Sequence, residues 1–176
     1  STINVKRVTY TVPSRLIDSR LRVQVYDNRL DLYLGHELTY NLERVYAQGS
    51  SRKRSVNYKH VIDALVKKPQ AFRCSQWRDE LLPNEDYRSI WQYANGNMKA
   101  DDACRYIVRV LHLASKGDNE IRLGRFIMQQ LNSGRLPSLF DCQERFQQQT
   151  RDIPQLQIGQ HPLKMYGLLL QGGRHD

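Results

Sequence analysis

The sequence predicts an α+β fold: a small β-barrel in residues 1–47, a basic linker at 48–56, a helical bundle over 57–147 and a tail with a short apolar motif at 148–176. Two observations carry this expectation. Apolar residues alternate with period two in the first part and recur at helical spacing in the second, and turn residues punctuate the chain at the intervals each texture requires. At 176 residues the chain has room for one ordinary domain or two small ones. Its 40% hydrophobic and 26% charged composition excludes a wholly disordered polypeptide.

The strands come first. Val8, Tyr10 and Val12 share one face, with Arg7, Thr9 and Thr11 on the other, and Pro13 ends the run because it has no ladder donor. Leu21-Arg22-Val23-Gln24-Val25-Tyr26 alternates, turns at Asp27-Asn28 and returns as Leu30-Asp31-Leu32-Tyr33-Leu34. Asp and Asn tolerate the positive φ of tight turns, so this segment reads as a hairpin. A turn at Gly35-His36 leads to Leu38, Tyr40 and Leu42 on alternate positions. So few short strands are too little for a sandwich, and a small closed or half-closed barrel is the simplest way to hide their edges. Residues 48–55 have no apolar member and read as a linker.

The helices follow. Asn57 is placed to cap a helix carrying Val61, Ile62, Leu65 and Val66, stopped by Pro69. Asn84 caps the next, which carries Tyr87, Ile90, Trp91 and Ala94 and ends at Gly96. Ala103, Ile107, Val110, Leu111 and Ala114 form an apolar stripe closed by Lys116-Gly117. A further stripe through Ile121, Leu123, Phe126, Ile127, Gln130 and Leu131 ends at Ser133-Gly134, and Ser138 with Asp141 opens a last helix through Phe146. Short glycine-marked turns between such helices predict antiparallel packing. The tail carries an apolar cluster that includes Ile158, Leu163, Tyr166, Leu168 and Leu169, suited either to docking on the bundle or to binding a partner.

Charge narrows the function. The net charge is +9, and residues 1–70 hold 13 Lys and Arg against 6 Asp and Glu. A basic segment of this density is the footprint of a polyanion-binding surface, because each neutralised phosphate releases condensed counterions. The candidate contacts are Lys6, Arg7, Arg15, Arg20, Arg22 and Arg29, interleaved with Tyr10, Tyr26 and Tyr33, together with Arg52, Lys53 and Arg54 in the linker. Arginine forks onto phosphates, and tyrosine supplies a hydroxyl or a stacking face. No recognition-helix pattern accompanies them, so contact to a nucleic-acid backbone without base readout is expected, with a ribosomal surface, an anionic membrane or simple solubility as the other readings of the charge.

Catalytic signals are missing. Asp101-Asp102 and Glu85-Asp86 are adjacent pairs that diverge by about 100° on a helix, which suits helix starts better than a shared ion. His36 reads as a turn residue, and His60 and His112 lack a ligand partner at helical spacing. No self-contained active site, metal site or cofactor is expected in this chain. Cys74, Cys104 and Cys142 are odd in number and widely spaced, which predicts reduced thiols. No apolar run approaches the ~18 residues of a membrane span and no leader opens the chain, so a soluble, cytoplasmic protein without membrane partners is expected.

Tyr10-Thr11-Val12-Pro13, Arg15-Leu16-Ile17, the 23–34 hairpin with Gly35-His36-Glu37-Leu38, and Lys68-Pro69-Gln70-Ala71-Phe72 occur in an informative order. With Arg109-Val110-Leu111, Gly124-Arg125-Phe126 and the terminal Pro162-Leu163, Tyr166 and Leu168-Leu169, the chain resembles, over nearly its whole length, the region after the catalytic core in IstA-type transposases of the insertion sequence 21 group. These are relatives of phage Mu transposase. The resemblance implies a Mu-type barrel that touches DNA largely without sequence preference, in a bacterial, nucleoid-associated protein. It implies a separate integrase-like domain whose Asp, Asp, Glu triad binds divalent metal, magnesium, and no catalytic residue is carried over here. It also implies partners: an AAA+ ATPase helper and other transposase subunits in a homo-oligomer. Where many relatives have His-Pro-Arg after the fourth strand, this chain reads Asn41-Leu42-Glu43-Arg44, so only Arg44 is carried over as a backbone contact.

Overall fold

The computed structural model describes residues 1–47, 52–117 and 119–147. In chain order the strands are β1 (Thr2–Val5), β2 (Val8–Thr11), β3 (Leu21–Val25), β4 (Arg29–Leu34), β5 (Glu37–Glu43) and β6 (Lys53–Ser55). The helices are α1 (Ile62–Lys67), α2 (Gln70–Cys74), α3 (Glu85–Asn97), α4 (Ala100–Ser115), α5 (Glu120–Asn132) and α6 (Leu139–Gln147). The architecture is α+β, strands first and helices after.

The six strands form two open sheets, β1-β2-β6 and β3-β4-β5, and no ladder joins them into a closed barrel among the described residues. They bury one shared core instead: Val8, Tyr10 and Val12 from the first sheet and its flank meet Leu30 and Leu32 from the second. Period two therefore gave the inward residues correctly, but the two sheets are held together by packing of their faces rather than by a hydrogen-bonded closure. Tyr10 belongs to this core, at 1% exposure, with its hydroxyl donating to the Val45 carbonyl at 3.0 Å and accepting the Val45 N–H at 2.9 Å. Its expected place beside the arginines is thus corrected: the alternation that buries Val8 buries Tyr10 too.

Two other local expectations change. Lys53–Ser55, read as linker, is a strand that pairs in parallel with β2, setting Val8 against Lys53 and Thr9 against Arg54. An edge strand of three residues supplies backbone groups rather than core side chains, so it leaves no apolar signature, and its charges suit an edge. Residues 48–51 of that segment lie outside the described residues. Asp27 and Asn28 are not left-handed; among the described non-glycine residues that conformation is taken by Asp18 (φ 63°) and by Lys6 (φ 45°) and Arg7 (φ 68°), the two-residue tip of the β1–β2 hairpin.

The helical half is organised around α4, which packs against α1, α2, α3, α5 and α6. Its buried side chains include Ile107, Val108, Val110, Leu111 and Leu113, more than one stripe, because neighbours cover most of its circumference. Burial of each such side chain stabilises the fold by roughly 1.5–3 kcal/mol. Two helix caps act as the sequence indicates, whereas Asn57 caps a 3-10 turn at Tyr58–His60 rather than α1, its side chain accepting the Lys59 N–H at 3.0 Å. Asn84 Oδ1 accepts the Tyr87 N–H at 3.3 Å, and Ser138 and Asp141 form a reciprocal capping box at 3.1 Å each way. Gly134 (φ 79°) closes α5, with its N–H bonded to Leu131 and that of Arg135 to Gln130. Gly96, by contrast, lies inside the last turn of α3, and Pro69 opens α2 as well as following α1.

A polar seam joins the two halves. The ring nitrogens of buried His60 lie 3.0 Å from Thr11 Oγ1 and 2.9 Å from Tyr40 Oη, one partner from each sheet. Ser14 Oγ donates to the His60 carbonyl at 2.8 Å, and the Asn57 N–H donates to Thr11 Oγ1 at 2.8 Å. Burial pulls the His60 pKa below its ordinary 6.5, opposed by a hydrogen bond to the Thr11 backbone. The neutral imidazole thus pins both sheets to the first turn of the helical half.

Candidate nucleic-acid interface

Register decides which cations share a surface. In the first sheet Val8 and Tyr10 point inward, so Thr9, its β1 partner Asn4 and its β6 partner Arg54 face outward, with Arg7 and Arg52 two residues away on the same face. Asn4, Arg7, Thr9 and Arg52 line a shallow groove of about 340 Å³, where Thr9 Oγ1 donates to Asn4 Oδ1 at 2.7 Å. Lys6 is exposed at the hairpin tip, and Lys53 is exposed on the edge strand. Arg54 reaches toward the helical half, 3.3 Å from Glu80 and 5.9 Å above the Trp77 ring. Arg15, on the turn after β2, and Arg20, before β3, are exposed without lining the groove.

The second sheet treats its arginines differently. Arg22 lies 4.8 Å over the Tyr33 ring, its cross-strand neighbour, and Arg29 lies 4.6 Å over Tyr26. Arg29 also bonds Asp31 at 3.1 Å, a carboxylate whose side chain is 5% exposed and which accepts a second bond from Asn41 at 2.7 Å. Arg44 is 14% exposed, donates to the Tyr26 carbonyl at 2.7 Å and packs 4.3 Å over Tyr46. Its guanidinium pins the β3–β4 turn, a role the sequence reading did not give it.

Summed by sheet, the charge separates. Residues 1–20 and 52–60 contain Lys6, Arg7, Arg15, Arg20, Arg52, Lys53, Arg54 and Lys59 against Asp18 alone. Residues 21–47 contain Arg22, Arg29 and Arg44 against Asp27, Asp31, Glu37 and Glu43. The arginines therefore do not form one surface. The first sheet and its flanks carry the positive potential, and the second sheet is close to neutral.

Sequence reading missed Asn4 and Thr9 as groove residues and Trp77 as a neighbour of Arg54. The Thr2–Val5 strand that places Asn4 is only four residues long, with Ile3 and Val5 toward the core, and its pairing with β2 is what sets Asn4 beside Thr9. The tail residues Ile158, Leu163, Tyr166, Leu168 and Leu169 lie outside the described residues. Among the described residues no group of three His, Cys, Asp or Glu side chains is placed to hold a metal ion, and no helix is long and apolar enough to cross a membrane. Cys74 is exposed, while Cys104 and Cys142 are buried, and all three are free thiols.

Fold and surface together define a class: a chain with a cationic sheet face fixed by a buried polar seam to a helical bundle. Across 168 residues, 94% of its length, the chain is 34% identical to a protein of Sinorhizobium fredii (strain NBRC 101917 / NGR234) described as uncharacterized protein y4jA/y4nE/y4sE. The chain spans 33% of that relative's length. No family model and no solved structure matches it.

Proposed function

We propose that this chain is the non-catalytic, DNA-holding part of an IstA-type transposase, which grips duplex phosphates with the outer face of the first sheet and so helps assemble the transposition complex. The observation that carries the reading is the partition of charge: eight cations against one carboxylate on the first sheet and its flanks, with Glu80 of the helical half 3.3 Å from Arg54. Five of the eight cluster at one corner of the sheet: Lys6 and Arg7 at the β1–β2 tip, Arg52 just before β6, and Lys53 and Arg54 on it, with Arg7, Arg52 and Arg54 on the outer face and exposed Lys53 at the edge, in register with Val8. In this reading the two sheets are an opened version of the Mu-type barrel, and magnesium-dependent strand chemistry belongs to a separate integrase-like domain. The apolar tail cluster serves contacts with an ATPase helper or with other transposase subunits, at the nucleoid of a bacterial cell. Truncation before Ile158 tests that part: loss of partner binding with DNA affinity intact supports it, and a fall in thermal stability shows that the tail is core.

The interface is tested on the full chain with R52Q/K53Q/R54Q. If three phosphate contacts are removed, the slope of log affinity against log salt becomes shallower by about 2.7, on random and end duplexes alike. R22Q removes a second-sheet cation stacked on Tyr33 and leaves the slope unchanged. A larger effect from R22Q than from the β6 variant refutes the assignment of the face.

A further inference from the structure

A second cationic site lies on the helical half, where the chain's charge is nearly balanced and the sequence singled out no DNA contact. Arg122, Arg125, Phe126 and Gln129 project from one side of α5 and meet Arg145 and Phe146 of α6 around a cleft of about 290 Å³. Its floor is aromatic: the rings of Phe126 and Phe146 are 5.8 Å apart, and the Arg145 guanidinium lies 4.7 Å over Phe126. Among the described residues none of the three arginines has an ion pair on this cleft. Two carboxylates of these helices have partners elsewhere, Glu120 accepting the Tyr58 hydroxyl at 2.9 Å and Asp141 lying 3.7 Å from Arg135, while Glu144, beside Arg145, is exposed.

Arg122 shares the start of α5 with Glu120. It stands in the first turn of α5, where the helix dipole favours a carboxylate over a cation. Three guanidiniums lining one cleft also repel one another, most strongly at low salt. Both costs are offset when an anion enters. The chain itself is a poor source of that anion, since residues 148–176 carry Arg151, Lys164 and Arg174 against Asp152 and Asp176, and a second copy brings a net charge of +9. Guanidiniums fork onto phosphate oxygens, and Gln129 adds a neutral donor.

We infer that the α5–α6 cleft is a second phosphate-binding site, which takes the backbone of a nucleic-acid duplex. This rests on the proposed DNA-holding role and extends it to residues outside the basic N-terminal segment. A duplex held at both places is fixed in direction as well as in position, which one cationic face does not achieve.

The test is fluorescence anisotropy of a labelled random duplex against the full chain, with unchanged thermal stability as the check on folding. R122Q/R125Q is expected to weaken binding at least tenfold at about 0.1 M salt and to make the salt slope shallower by about 1.8. R122K/R125K is expected to restore the slope, because the contact needs charge more than shape. R52Q/K53Q/R54Q run in parallel separates the two readings. Loss in the first-sheet variant with none in R122Q/R125Q overturns the second site and leaves the first. Loss in R122Q/R125Q alone supports the cleft and overturns the first-sheet assignment, and a wild-type chain that does not bind duplex overturns both. Poly-glutamate binding that R122Q/R125Q abolishes while duplex binding stays intact also overturns it, assigning the cleft to an acidic protein partner.

Discussion

The β1–β2 tip joins stability to binding in one pair of residues. Lys6 and Arg7 both adopt left-handed backbone, a conformation that costs roughly 1–2 kcal/mol for a residue with a Cβ and that two-residue hairpins normally give to Asn-Gly. Replacing them as K6N/R7G relieves most of that strain. Glycine returns roughly 0.5–1 kcal/mol of it through the greater freedom of the unfolded chain. The net expectation is a gain of about 1 kcal/mol, read as a rise in Tm of about 2–4 °C for a chain of this length. The hydrogen bond from the Lys53 N–H to the Arg7 carbonyl, 3.2 Å, is a backbone bond that glycine keeps. The same variant deletes two cations from the proposed interface, so the salt slope of duplex binding is expected to fall by about 1.8. Urea unfolding and a salt series of anisotropy titrations measure the two effects on one sample. A variant that is more stable and binds duplex as tightly as the parent refutes the proposed role of the tip, and a variant that is less stable refutes the strain argument.

Three other expectations follow from the core. Because burial lowers the His60 pKa, the unfolded chain binds more protons below pH 6.5, so the stability His60 contributes is present above that pH and is lost as pH falls through its folded value. The urea midpoint of the parent therefore drops more between pH 7.5 and 5.5 than that of H60Q, and the residual drop reports His112, whose pKa is also lowered, first by burial and then by Lys116. At Gly124 a Cβ would stand 3.0 Å from the fully buried Tyr87 ring, whose hydroxyl is held by the Glu120 carbonyl at 2.8 Å. G124A gains about 1 kcal/mol of helix propensity but incurs overpacking of roughly 1–3 kcal/mol, so a net loss near 1 kcal/mol is expected by urea unfolding. Burial pushes the Cys142 thiol up to about 11 and raises Cys104 also, so a thiol reagent at pH 8 is expected to label only Cys74 rapidly in the native protein and all three after denaturation.

The helical half was legible in the sequence because its signals are local. Asn84, Ser138 with Asp141, and Gly134 each settle a helix end within a few residues, and the stripe from Ala103 to Ala114 marks the most buried helix. The strands were legible by face but not by pairing. Alternation identifies Val8 and Tyr10 as core, yet nothing within β2 says that Lys53–Ser55 will lie beside it, some 45 residues on. Thr11 shows the limit clearly: its side of the strand reads as solvent, but His60 and Asn57 cover it and leave it 1% exposed. The basic segment was visible as charge, while its division between a cationic sheet and a neutral one depended on where Asp31, Glu37 and Glu43 came to rest.

The salt dependence of duplex binding by the unaltered chain tests the central claim most directly. Five first-sheet cations acting on phosphates contribute about −4.5 to the log–log slope and the two arginines of the α5–α6 cleft about −1.8 more, so a slope near −6 is predicted, with affinities for unrelated duplexes that agree within about threefold. A slope near zero, or strong binding confined to one sequence, would contradict it.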